Sequence, residues 1–342
     1  MAGGRRCGEL KEIPITDELF LGAVSLERTL NGIKPWRIPY QDYDLYPPNG
    51  IDSKAEICAG VRLCFHTDST VIVLKFSPIK GEARLDCMVD GKLFATAALN
   101  ESDREVTYTN LYHGRKEIII YLPQNIGMTV CSLWIEQNAE MRIFPDTQPK
   151  WVTYGSSITQ CVGAHSPSRT WPAITARESG LNLTCLGFSG NCHLEPMVGK
   201  LIRDLPADFI SLCVGINVYG AASLSPRTFK PALIGMLETI RDKHKQTPLL
   251  VISPLYAAHR ETIDNVLGFT LPEMREDVRQ TVEMVRARGD HHIYYMDGLE
   301  LFGSDDASHL PDHLHPDGDG YEIIGSRFME KIIMPFRKKD II

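Results

Sequence analysis

The spacing of apolar residues changes period near residues 145–150, and this change does most to limit what the chain can become. Before it, apolar residues alternate in short runs with period two. Residues 61–66, 70–76, 84–89, 92–98, 116–122, 130–137 and 139–144 all read as strands. Asp90-Gly91, between the third and fourth runs, is a two-residue hairpin signal. Many short strands with no convincing helix among them predict a β-sandwich of jelly-roll type.

After the change, strands alternate with helices. Residues 151–154, 181–185, 209–214, 249–252 and 292–296 read as strands. Pro172 and Gly180 bracket one helix, following the preference for proline near the first turn and glycine past the last. Leu194, Met197, Val198, Leu201, Ile202 and Leu205 form one apolar helical face. Phe229 to Ile240, Met274 to Val285, and Ile323 to Ile332 repeat that pattern. The alternation predicts a parallel sheet with helices on both faces, a three-layer α/β/α domain. We therefore expect an N-terminal sandwich over 1–148 and an α/β domain over 149–342.

Bulk properties remove several function classes. The 342 residues are 43% hydrophobic and 23% charged, enough to bury a sizeable core. A net charge of -7 provides no basic footprint for nucleic acid or for an anionic membrane surface. No apolar run reaches the ~18 residues of a membrane span. Arg5-Arg6 near the N-terminus is not followed by the apolar stretch of an export signal. The nine cysteines include no C-x-x-C pair, which fits reduced thiols better than a disulfide framework. The expectation is a cytoplasmic protein acting on a small molecule, with no nucleic-acid or membrane partner. A homo-oligomer is allowed but not required.

In open parallel sheets, ligands bind beyond the carboxyl ends of the strands. Four loops at such positions carry small or polar residues. Gly155-Ser156-Ser157-Ile158-Thr159 places two serines at a strand-to-helix turn, and either could serve as a nucleophile. Gly187-Phe188-Ser189-Gly190-Asn191 allows a backbone N–H to approach a ligand closely. In Gly215-Ile216-Asn217, the asparagine offers an N–H₂ donor to a developing oxyanion. In Asp312-His313-Leu314-His315-Pro316, a histidine could act as base, with an aspartate three residues earlier to orient it. His309, Asp312, His313, His315, Asp317 and Asp319 could also be metal ligands, but their spacing matches neither an EF-hand nor a zinc-protease motif. No metal or other cofactor is expected. The G-x-S-x-G elbow and the P-loop are also missing.

In this order, the four blocks resemble those of the SGNH (GDSL-type) hydrolase family. The resemblance implies Ser157 as nucleophile, with His315 and Asp312 completing a triad. It implies an oxyanion hole from the N–H groups of Ser157 and Gly190 and the side chain of Asn217. The family usually has aspartate before the nucleophile, where this chain has Ser156. His313 competes with His315, and the D-x-x-H spacing and Pro316 favour His315. Trp36-Arg37-Ile38-Pro39, residues 44–47 and 60–63, residues 186–194 and residues 214–218 look like a two-domain branch with a leading β-sandwich, the branch of SsfX3, an acyltransferase.

That sandwich resembles carbohydrate-binding modules in type. The implied activity is cleavage of a carboxylic ester, a short acyl group on a sugar or other polyhydroxylated compound. Transfer of the acyl group to an alcohol is the alternative reaction, and a non-catalytic carbohydrate-binding protein is the alternative of another class. His193, Trp171 and Tyr219 lie where they could touch substrate or simply pack.

Overall fold

The computed structural model describes residues 9–143 and 146–342. Arg5-Arg6, Cys7 and Phe144, the end of the last expected sandwich strand, lie outside the described residues. The N-terminal part is two six-stranded antiparallel sheets. One runs Ser25–Thr29, Gly32–Trp36, Val130–Glu136, Ile72–Phe76 and Glu105–Tyr108, with Leu10–Ile13 also on Val130–Glu136. The other runs Met141–Ile143, Arg62–Thr67, Lys116–Tyr121, Ala83–Val89 and Lys92–Leu99, with Phe20–Leu21 on Arg62–Thr67. Leu63, Phe65, Leu74, Leu85, Ile118, Ile120 and Leu133 form a continuous core. Asp90 and Gly91 both have positive φ, +47° and +75°, as a tight two-residue hairpin requires.

Five strands of this part carry no clear sequence signal. Ser25–Thr29 holds a single strongly apolar residue, Leu26. Gly32–Trp36 contains Pro35, which argues against a strand. It is tolerated because only Ile33 pairs with Val130 on that side. Leu10–Ile13, Phe20–Leu21 and Glu105–Tyr108 have four residues or fewer, too short to show a period.

The C-terminal part is a five-stranded parallel sheet flanked by helices. Its strands are β1 (Lys150–Gly155), β2 (Asn182–Gly187), β3 (Phe209–Cys213), β4 (Leu249–Ile252) and β5 (Ile293–Met296). They lie in the order β2-β1-β3-β4-β5, the flavodoxin-like order, whose crevice opens between β1 and β3. The helix after β2 begins at Pro196 rather than Leu194, because Leu194 adopts φ +63°. The closing helix Gly318–Phe328 passes through one wider π-type turn over Met329–Ile333 before Met334–Lys338. Pro335 sits just beyond that turn and cannot donate to it.

The two parts share packing. Trp36, Ile38, Tyr46, Ile51 and Ala55 belong to the same core cluster as Phe188, Leu194, Val198 and Leu212. Eight cysteines are described, and all are free thiols. Burial raises the thiol pKa of Cys58, Cys64, Cys87 and Cys213 to about 12. Among the described residues, no helix is long and apolar enough to cross a membrane.

Candidate active site

All four loops lie at the carboxyl ends of the parallel strands. β1 runs into a one-turn helix, Ser157–Gln160. Ser156 is its N-cap: its hydroxyl accepts from the Ile158 N–H at 3.2 Å and it is fully buried. The adjacent Ser157 hydroxyl lies 2.8 Å from His315 Nε2. The two serines thus have different partners, one capping a helix and one facing the histidine. The turn of this helix crosses the end of β2 so closely that a Cβ on Gly187 would stand 2.3 Å from the Gln160 nitrogen. Only glycine fits there.

His315 Nδ1 lies 2.6 Å from Asp312 Oδ2. With a carboxylate against Nδ1, that nitrogen carries the proton, and Nε2 is left to accept from Ser157. The other Asp312 oxygen accepts the N–H groups of His315 at 2.7 Å and Leu314 at 3.0 Å. Desolvation pushes the Asp312 carboxyl up, but these hydrogen bonds outweigh it and hold the pKa at about 2. His313 turns away at φ +62°, and its ring meets the edge of His259, centroids 4.9 Å apart.

The second loop is tied at nearly every polar group. Ser189 N–H donates to Gln160 Oε1 at 3.0 Å. Asn191 holds the Ser189 carbonyl through Nδ2 at 2.8 Å and donates its own N–H to Phe188 at 3.0 Å. The Gly190 carbonyl faces His193 Nε2 at 2.9 Å, and Ser223 Oγ lies 2.8 Å from His193 Nδ1. Tyr154, fully buried, donates to Glu195 and accepts from Leu194 N–H at 3.2 Å. Asn217 Oδ1 accepts from Cys192 N–H at 3.1 Å, which assigns the other end of that amide as a donor. Gly190 itself has φ +74°, which favours glycine. The N–H groups of Ser157 and Gly190 and Nδ2 of Asn217 find no acceptor among the described residues.

The remaining candidates separate. His309 Nδ1 pairs with Asp317 at 3.1 Å and His165 Nε2 with Asp319 at 2.8 Å. Among the described residues, no group of three or more His, Cys, Asp or Glu side chains is placed to hold a metal. Trp171 is buried against Trp151 and Phe328, and its indole N–H donates to Ile158. Tyr219 is mostly buried and donates to the Ile263 carbonyl at 2.8 Å. Neither is left free to meet a ligand with its polar group.

Residues 148–332 match the family model described as GDSL-like lipase/acylhydrolase, more than half of the chain. This chain belongs to that family. Residues 19–126 match the N-terminal domain of SsfX3. Among solved structures, this GDSL-family chain is similar to the salicylyl-acyltransferase SsfX3 from a tetracycline biosynthetic pathway. The identity is 32% and the TM-score 0.89, over 95% of this chain and 97% of that one.

A Bacteroides ovatus protein described as a GDSL-like lipase is 24% identical with a TM-score of 0.77, over 96% of this chain and 98% of that one. A family two carbohydrate esterase from Clostridium thermocellum, in complex with cellohexaose, is 14% identical with a TM-score of 0.67, over 84% and 94%. These last two show the fold alone. No curated protein matches.

Sequence reasoning missed Tyr154, Gln160, Glu195 and Ser223. Each is an ordinary polar residue whose partner appears only once the strands are assembled.

Proposed function

We propose that this GDSL-family enzyme is a serine esterase, with Ser157 as nucleophile and His315 and Asp312 handling its proton. The observation that carries this reading is the continuous chain from Ser157 Oγ through both nitrogens of His315 to Asp312, 2.8 and 2.6 Å long. Ser157 attacks the ester carbonyl as its proton passes to His315 Nε2. Asp312 keeps the ring oriented and stabilises the imidazolium. The N–H groups of Ser157 and Gly190 and the Asn217 amide hold the oxyanion. Collapse expels the alcohol, which takes the proton back from His315. Water then attacks the acyl-serine, with His315 as base.

Transfer to an alcohol acceptor is the second reading. The 32% identity to an acyltransferase over nearly the whole chain favours it. For the substrate we propose a short acyl ester of a polyhydroxylated compound. In support, a cavity of about 350 Å³ is lined by Glu82, Arg84, Asn100, Gln124, Asn125 and Val162, where the sandwich meets the loop after the Ser157 helix. Its polar lining suits hydroxyl groups, and carbohydrate esterases share the fold.

Hydrolysis of p-nitrophenyl acetate by Ser157→Ala should fall by about 10³-fold or more, and a fluorophosphonate should label the Ser157 peptide. Unchanged hydrolysis, or labelling at Ser156, overturns the assignment. Adding an alcohol acceptor and measuring ester product against free acid by mass spectrometry decides between transfer and hydrolysis.

A further inference from the structure

We infer that Arg37, contributed by the N-terminal part, is a positioning residue that holds the Gly190 loop in the geometry acyl transfer needs. This inference rests on the esterase reading and deepens it.

β2 is an edge strand of the parallel sheet. Its even-numbered residues bond toward β1, as the Asn182 N–H to Pro149 and the Phe188 N–H to Gly155 show. The carbonyls of Leu183, Cys185 and Gly187 therefore face outward in a row, where an edge strand is unsatisfied. Two arginines cap that row. Arg62 Nη1 donates to Leu183 at 3.1 Å and Nη2 to Asn182 Oδ1 at 2.5 Å. Arg37 Nη1 donates to Cys185 at 3.3 Å and to Gly187, and Nη2 reaches back to the Lys54 carbonyl at 2.6 Å.

Arg37 is fully buried, with its guanidinium 4.8 Å over the Phe188 ring. Among the described residues no carboxylate pairs with it. Burial lowers its pKa to about 10, so it stays charged at neutral pH. A buried charge without a countercharge is costly, and an apolar residue would dock two surfaces more cheaply. What the guanidinium adds is a rigid fork, one arm holding two β2 carbonyls two residues apart and the other held by the Lys54 carbonyl. The farther of them, Gly187, is three residues from Gly190.

A second tie runs the same way. Gln160, on the Ser157 helix, accepts the Ser189 N–H and donates to the Gln124 carbonyl of the N-terminal part at 3.3 Å. The nucleophile helix, the Gly190 loop and the N-terminal part thus share one buried amide.

Arg62 provides the internal control, because it docks the same two parts at the end of β2 away from the site. Arg37→Met and Arg62→Met should lower Tm to a similar extent. Only Arg37→Met should lower kcat on p-nitrophenyl acetate, by roughly 10-fold or more with KM within about two-fold, since small misplacements of a reacting group are expensive. It should also speed hydrogen exchange in the peptide covering 186–194 more than Arg62→Met does. Arg37→Lys keeps the charge without the fork and should give an intermediate kcat, which tests the idea if the methionine variant does not fold.

Equal effects of the two methionine variants on kcat and exchange, or no change in 186–194 exchange in Arg37→Met, overturn the inference. A wild-type enzyme that hydrolyses no ester would instead refute the esterase reading, and the exchange comparison would still decide the role of Arg37.

Discussion

The loop after β2 and the loop that carries His315 are built on different plans. The loop from Phe188 to Glu195 has ties within itself, from Asn191 and His193, and is also anchored from outside, by Gln160, Asn217, Tyr154 and Ser223 and, through β2, by Arg37. The loop that carries His315 is anchored from within. Asp312 binds the Leu314 and His315 N–H groups and the His315 imidazole, and Asp317 caps the following helix. The Asp312 and His315 side chains are 54% and 38% exposed.

The physics of each task explains the difference. Oxyanion donors gain their effect by standing in place before charge develops, so their support has to be rigid and widely distributed. A proton carrier must serve first the serine and then the leaving group, so a short tether to one carboxylate is enough.

The contrast has a direct consequence: the proton-handling loop has no redundancy. Asp312→Asn should lower kcat by about 10³–10⁴, because the carboxylate both fixes the His315 tautomer and stabilises its charge. Tm should hardly change, since the side chain is half exposed. A loss below about 10-fold would mean that another group orients His315.

The pH profile sharpens this. The folded pKa of Asp312, about 2, lies below the ordinary carboxyl value. Its contribution to stability is therefore fully present above roughly pH 4 and is lost as pH falls toward 2. The carboxylate adds no second ionisation to the acid limb of kcat/KM above roughly pH 3. A limb steepening to two protons near pH 4 would show that the carboxyl is not held down.

Asn217→Ala removes one proposed oxyanion donor and also releases the Cys192 N–H. The expected loss is about 10²–10³ in kcat with KM little changed. A rise in KM with kcat intact would place Asn217 in ground-state binding instead.

The same asymmetry governs what could be read from the sequence. Ser157, Gly190, Asn217, Asp312 and His315 could be singled out as candidates because the proposed chemistry calls for particular residue types at the ends of successive strands. Asp312 and His315 lie in one stretch of five residues and are each other's partners. The support of the Gly190 loop was hidden. Tyr154 meets Leu194 across 40 positions, Gln160 meets Ser189 across 29, and Arg37 meets Cys185 across 148. Arg37 stood in a stretch that resembled the two-domain branch, yet nothing local distinguished it from a surface arginine. Between Ser156 and Ser157 the residues alone left the nucleophile open and the resemblance favoured Ser157; in the assembled turn Ser156 caps the helix and Ser157 faces His315.

The smallest effect is expected where the loop's own internal ties are doubled. Two peptide planes flank the Gly190 α-carbon. The plane before it carries the Gly190 N–H, and Asn191 Nδ2 fixes that plane by holding the Ser189 carbonyl. The plane after it is held twice, by His193 at the Gly190 carbonyl and by the Asn191 N–H on Phe188. Asn191→Ala should therefore free the plane that matters and lower kcat by about 10-fold, short of the full loss of a donor.

His193→Ala leaves the second tie in place, and water can replace the exposed imidazole on the Gly190 carbonyl, a net exchange of about 1 kcal/mol or less. Its kcat should fall no more than about five-fold. Measured on one ester under one set of conditions, the order Asn191→Ala below His193→Ala in kcat is the test. If the histidine variant is instead the slower, the imidazole acts on the substrate or the proton path rather than on the loop, and the division between a braced oxyanion side and a self-contained proton side no longer holds.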